Sequence, residues 1–193
     1  MSLQLPGDLN GFIAALETIS RDARQTFGDL THDQINWKPT AQQWSIGQCF
    51  DHLITTNRTY FPTYEAILRG DKKSTIWEKL PVLPGFWGSW LIKTLLPDSG
   101  KKLKAPPAFA PTQSTVEAGI IRRFQDEQAQ LINFLKQMAH IDLKKTIITS
   151  PAAAIVTYSL FDTCTITVVH EHRHFQQAKR VMDVAGFPLK NQG

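Results

Sequence analysis

The densest chemistry in the chain is the run His170-Glu171-His172-Arg173-His174. It lies within Ser159 to Ala185, a stretch that holds neither Gly nor Pro and repeats apolar residues at helical spacing. Side chains four apart share one helix face. His170 and His174 therefore point one way, and His172 nearly the other. The same face continues through Leu160, Thr163, Thr167, Ala178 and Val181, so the pair sits on a stripe that otherwise belongs to a core. Two stacked imidazoles facing inward make a bidentate start for zinc, nickel, copper or iron. A third ligand must come from another element. The competing reading is a pair of pocket histidines held by hydrogen bonds. Glu171 and His172 are expected to face sideways or outward.

A third histidine is available on the second predicted helix, Ile46 to Arg69, with Ser45 as its cap and Gly70 just past its end. Its inward stripe reads Cys49, His52, Leu53, Thr56, Tyr60, Thr63 and Ile67, with Pro62 as a kink. His52 falls among these core positions, whereas Asp51, Asn57 and Arg58 are expected on the polar side. Gln48, four residues before His52, is placed to meet its free ring nitrogen. Cys49 would line the pocket. Gln177, three residues past His174, would orient a ligand or contact substrate. His32 and His140 fall in connections and receive no role.

Four helices must position these groups. The first runs from Pro6 to Leu30, capped by Asp8, with Leu9, Phe12, Ile13, Leu16, Ile19, Ala23, Phe27 and Leu30 on its buried face. Thr31 to Gln43 is a connection that Trp37 and Trp44 would pin over the core. A third helix begins at Ser114 or Thr115 and ends near Ala139. Ile141 to Tyr158 is a connection with a turn signal at Ser150-Pro151. The fourth helix opens on a capping box, Ser159 with Asp162, and ends before Gly186 and Pro188. Between the second and third helices, Asp71 to Thr112 holds six of the 11 prolines, which prevents a continuous helix. A short helix is still expected from Phe86 to Leu96. The fold expected is all-α, a four-helix bundle with one long crossover between helices 2 and 3 carrying a short extra helix. Residues 1–193 read as one domain.

Composition narrows the function classes. The 193 residues are 42% hydrophobic and 20% charged, as in soluble globular proteins. Two cysteines, Cys49 and Cys164, give no disulfide framework and suit a reducing cytoplasm. Neither a signal peptide nor an apolar run of membrane-spanning length is visible. The net charge of +4 is local. From Asp71 to Lys104 seven lysines face three acidic residues, and the remainder is balanced. Lys101, Lys102 and Lys104 would assist an acidic co-substrate. Trp77, Trp87 and Trp90 would form a lid, a core patch or a dimer contact. No nucleic-acid motif, P-loop or dinucleotide glycine pattern occurs.

Taken in order, Trp44-Ser45, His52-Leu53, the stretch Lys104-Ala-Pro-Pro-Ala-Phe-Ala-Pro111 and His170-x-x-x-His174-x-x-Gln177 resemble the DinB-like family, the DinB/YfiT-type four-helix bundles. The resemblance covers nearly the whole chain. It implies a divalent metal, zinc or nickel foremost, held by one His of the second helix and two of the fourth: His52, His170 and His174. It also implies thiol S-transferase or isomerase chemistry with a low-molecular-weight thiol, and no DNA binding. A hydrolase acting through activated water is the other catalytic expectation. A non-catalytic metal-binding or stress-related protein is the alternative. A small-molecule substrate and a homodimer are the expected partners.

Overall fold

The structure is a computed structural model, described here for residues 4–80, 82–96, 109, 111–112 and 114–188. Lys101, Lys102 and Lys104, with most of the motif that follows them, lie outside the described residues.

Four long helical segments form the bundle. They are α1 (Leu9–Phe27), α3 (Ile46–Arg58) continued by α4 (Phe61–Leu68), α6 (Ile120–Gln137) and α7 (Leu160–Met182). A short α2 (His32–Asn36) lies in the first connection, and α5 (Leu83–Leu95) lies between α4 and α6. Helix α1 packs on α6 and α7, and α3 packs on the same two, so α6 and α7 stand diagonally across the bundle. Helix α5 covers an outer side of α7.

Local chemistry sets the helix starts. Asp8 accepts the Gly11 N–H at 2.8 Å, and Ser45 and Ser159 each head a full capping box, with Gln48 and Asp162 as partners. Gly70, with φ of 74°, follows α4 in the left-handed region that glycine tolerates.

Several boundaries differ from the sequence expectation. The second helix is not continuous. It breaks at Thr59–Tyr60, and Pro62 sits in the first turn of α4, where its missing N–H costs nothing. The Thr31–Gln43 connection contains α2, closed by a Thr31–Gln34 capping box. Helix α6 starts at Ile120, and residues Met138–His140 tighten into a 3-10 turn. The Ile141–Tyr158 connection folds into an antiparallel ribbon of β1 (Ile147–Thr149) and β2 (Thr157–Ser159).

The apolar core falls into two clusters. One gathers Phe12, Leu16, Tyr60, Tyr64, Leu131, Leu135 and Val168. The other gathers Ile19, Phe27, Phe50, Leu53, Ile54, Phe124 and Ala178. On three of the bundle helices buried polar residues lie between members of the two: Asn57 on α3, Glu127 and Gln128 on α6, Glu171 and His174 on α7. Asp51 and Asn57 are therefore buried, contrary to expectation. Glu171 is fully buried as well, which corrects its sideways or outward placement, and His172 is only half-buried. The reason is that α7 has neighbours on several sides, and residues 163–169 are all buried.

Close backbone approach at α3 gives a stability prediction. A Cβ on Gly47 would lie 2.1 Å from Cγ2 of Val116 and 2.9 Å from Cγ2 of Ile35, and both neighbours are buried. Alanine normally favours a helix over glycine by about 1 kcal/mol. Overpacking costs about 1–3 kcal/mol and prevails where the neighbours cannot move aside. Gly47→Ala is expected to lower Tm, by roughly 2–4 °C per kcal/mol in a chain of this size. Gly85→Ala on α5, with nothing within 4 Å of its Cβ, is expected to raise it. Calorimetry of both variants checks the contrast.

Candidate metal centre

Helix α3 presents His52 and α7 presents His170 and His174 to one point. One ring nitrogen from each lies within 4.8 Å of the other two. The Nε2 atoms of His52 and His170 are 2.9 Å apart. Ring centroids are 4.9 Å apart for His52 and His170, and 4.6 Å for each of the pairs that include His174. The sequence-predicted triad is thus brought together, which follows from the inward stripes of the two helices.

The surroundings fix the rings. Nδ1 of His52 contacts the Phe109 carbonyl, part of the chain just before α6. A carbonyl only accepts, so Nδ1 carries the proton and Nε2 keeps its lone pair for the centre of the triad. That stretch of chain is also tied to the residue preceding His52. Oδ2 of Asp51 accepts the Thr112 N–H at 2.6 Å and its hydroxyl at 2.8 Å. Trp44 covers the triad from outside, stacking on His174 at 5.6 Å and tilted against His52 at 5.0 Å. Sequence reasoning marked Trp44 as an anchor and, with Ser45, as part of the family resemblance, but not as a cover for the triad. The stretch from Lys104 to Pro111, marked by its likeness to the family, includes Phe109, but no role was read for it, since its contribution is a backbone atom.

Burial keeps the imidazoles neutral. It lowers His174 to about 3, with His52 adding to the effect and Gln177 opposing it. His170 is pushed well below its ordinary value by burial and then by the other two rings. Burial also lowers His52, against the upward pull of the Phe109 carbonyl and Asp51. Lone pairs are therefore available at neutral pH. Nδ1 of His174 is buried without a hydrogen-bond partner among the described residues.

Such a donor set fits a divalent ion. Bonds of about 2.0–2.1 Å in a tetrahedral site place nitrogens roughly 3.4 Å apart. The observed 2.9 Å therefore asks only for a small opening. The metal-ligating cluster among the described residues comprises these three groups alone, with no fourth His, Cys, Asp or Glu.

Of the remaining predicted residues, Gln48 and Cys49 take other places. Oε1 of Gln48 accepts the Ser45 N–H in the capping box, while the His52 nitrogen it was expected to meet faces Phe109. Cys49 is fully buried in the apolar cluster with Phe27 and Phe50, and burial pushes its thiol up to about 12, so it packs as a small hydrophobe. Gln177 is half-buried and acts on His174. Glu171 joins a buried network that sequence reasoning missed.

Fold and site together define a four-helix bundle with an interior histidine triad shared between its α3 and α7 helices. The sequence profile of the DinB superfamily matches residues 15–178, and the chain belongs to that superfamily. Among solved structures it is similar to YfiT from Bacillus subtilis, described as a probable metal-dependent hydrolase with an unusual four-helix bundle topology. The two share 13% identity with a TM-score of 0.58, over 97% of this chain and 95% of that one. No curated protein sequence matches the chain. No helix among the described residues is long and apolar enough to cross a membrane.

Proposed function

We propose that His52, His170 and His174 hold a divalent metal, zinc or nickel foremost, and that the protein is a metal-dependent hydrolase of a small molecule. The observation that carries this reading is the convergence of three neutral imidazoles without a fourth protein ligand among the described residues. A site with three protein ligands keeps a position for water or substrate, as catalytic zinc sites do. When bound, the ion supplies Lewis acidity and makes a coordinated water or thiol nucleophilic near neutral pH. The chain's own part is to hold the donors. Phe109 fixes the His52 tautomer, and Trp44 shields His52 and His174 from solvent on one side. The likeness to YfiT favours hydrolysis over transfer to a low-molecular-weight thiol.

The test uses untagged protein. Its metal content is measured, and the loaded form is assayed against ester and amide panels and against thiol conjugation to electrophiles. Metal-dependent hydrolysis lost in His52→Ala supports the proposal. Conjugation without hydrolysis would replace it with the transferase reading. Bound metal with neither activity would leave a binding protein.

A homodimer is proposed on a different observation. Ile76, Leu80, Val82, Phe86 and Trp90 supply five of the eight large hydrophobics exposed among the described residues. Val82, Phe86 and Trp90 form one stripe along α5 and its start, four residues apart. Exposed apolar patches of this kind mark contact sites. Trp90→Glu is expected to shift the protein from dimer to monomer in light scattering, and a monomeric parent protein would refute the dimer.

A further inference from the structure

Glu171 is an unusual residue to find at the centre of a bundle. Its carboxyl group is fully buried, Oε1 accepts Nδ2 of Asn57 on α3 at 2.8 Å, and Oε2 accepts Nε2 of Gln128 on α6 at 2.5 Å. Both partners are buried too, at 4% and 1% exposure, which removes all three groups from solvent competition. Burying such groups is costly, and an apolar set of similar volume is often as stable or more so. Stability alone therefore does not account for them.

Their placement does. Helix α3 carries His52 and, five residues on, Asn57. Helix α7 carries His170 and His174 with Glu171 between them in sequence. The Asn57–Glu171 bond thus joins the same two helices that share the triad, and the Gln128–Glu171 bond crosses the bundle diagonal to hold α7 from a second direction. Two apolar clusters flank this layer. Apolar contacts alone leave a helix some freedom to roll. A ring nitrogen on α7 stands about 6 Å from the helix axis, so a roll of about 10° moves it by about 1 Å. Binding constellations have to be held to about 0.5 Å. Directional bonds at 2.5 and 2.8 Å restrict that roll, in the way a buried polar residue fixes register in coiled coils.

We propose that Glu171 is a positioning residue for the triad. Its paired bonds to Asn57 and Gln128 set the rotation of α7 so that His170 and His174 meet His52 before any metal arrives. The inference rests on the metal-site reading above and adds to it a residue outside the ligand set.

The test is zinc affinity of the metal-free protein, measured by chelator competition, alongside thermal melting. Glu171→Leu removes both bonds and is expected to weaken Zn2+ binding 10- to 100-fold, the range that loss of an outer partner causes. Glu171→Gln is expected to stay within about threefold of the parent. Its amide oxygen still accepts from Asn57, and Gln128, whose Oε1 has no partner among the described residues, can turn its amide to accept from the new N–H2. Tyr60→Phe breaks the Tyr60–Tyr158 hydroxyl contact of 2.6 Å in the first apolar cluster and serves as the control for general destabilisation. It is expected to lower Tm without changing zinc affinity. If Glu171→Leu does not fold, Asn57→Ala severs the α3–α7 bond alone and is expected to weaken zinc about tenfold. Unchanged affinity in the folded Leu or Ala variant overturns the proposal, as does an equal loss in Tyr60→Phe. Zinc bound by the parent, lost in His52→Ala and kept in Glu171→Leu overturns the positioning role alone. A parent protein that binds no zinc overturns the metal site and this inference together.

Discussion

Replacing His174 with alanine is expected to weaken zinc binding by more than 100-fold and to leave the bundle folded. The ligand loss is direct, so its effect exceeds the 10- to 100-fold typical of outer partners. The fold should survive because the two apolar clusters hold the helices and neither includes His174. Two costs of opposite sign also meet at this position. Truncating a buried ring leaves a cavity, which costs on the order of 2 kcal/mol or more. The ring's Nδ1, however, is buried without a partner among the described residues, and an unsatisfied buried group costs about 1–3 kcal/mol in the parent. The metal-free variant should therefore melt near the metal-free parent. Adding zinc should separate them. A ligand that binds only the native state stabilises by about 2.7 kcal/mol at 100 times its Kd, so the parent gains Tm and the variant does not. Competition titration and paired melts read this out. Unchanged zinc affinity would assign the site to other ligands, and loss of helicity without metal would make His174 a packing residue.

The inward stripes of α3 and α7 were legible because helical periodicity reports a helix with one buried face. His52, His170 and His174 lie on such stripes, and the cap at Ser45 and the capping box at Ser159 were readable as side-chain chemistry. Glu171 was not legible for the same physical reason. Periodicity assumes that the opposite face meets water, whereas α7 is enclosed by α1, α3 and α5. The partners that make its burial tolerable, Asn57 and Gln128, are 114 and 43 residues away in the chain. The Phe109 carbonyl has no sequence signature, since any residue supplies a carbonyl. Pro62 marked a disruption, but its place in the first turn of a new helix depended on the chain turning at Thr59.

The second large effect is on pH dependence. In the metal-free protein, urea stability is expected to peak near pH 6.5 and fall on both sides. On the acid side the histidines act. Burial holds His174 at about 3 against an ordinary value of 6.5, and His170 and His52 are shifted the same way. As pH drops below 6.5 the unfolded chain takes up protons that the fold excludes, so stability is lost, by up to about 1.4 kcal/mol per pH unit for each group. Glu171 acts with the opposite slope. Burial raises it from 4.5 to about 8, against the smaller downward effect of its two amide partners. Between those values the fold keeps a proton that the unfolded chain has released, so stability declines as pH rises. From pH 4.5 to 6.5 these three histidines, joined by His172, which burial also lowers, oppose one glutamate and the net slope follows the histidines. Above 6.5 the histidine contribution has levelled off and the glutamate alone remains, until about pH 8. Glu171→Gln is expected to remove the alkaline decline and leave the acid limb. Stability rising steadily through pH 8 in the parent, or an unaltered profile in Glu171→Gln, would show that the buried carboxyl does not hold its proton as this environment dictates.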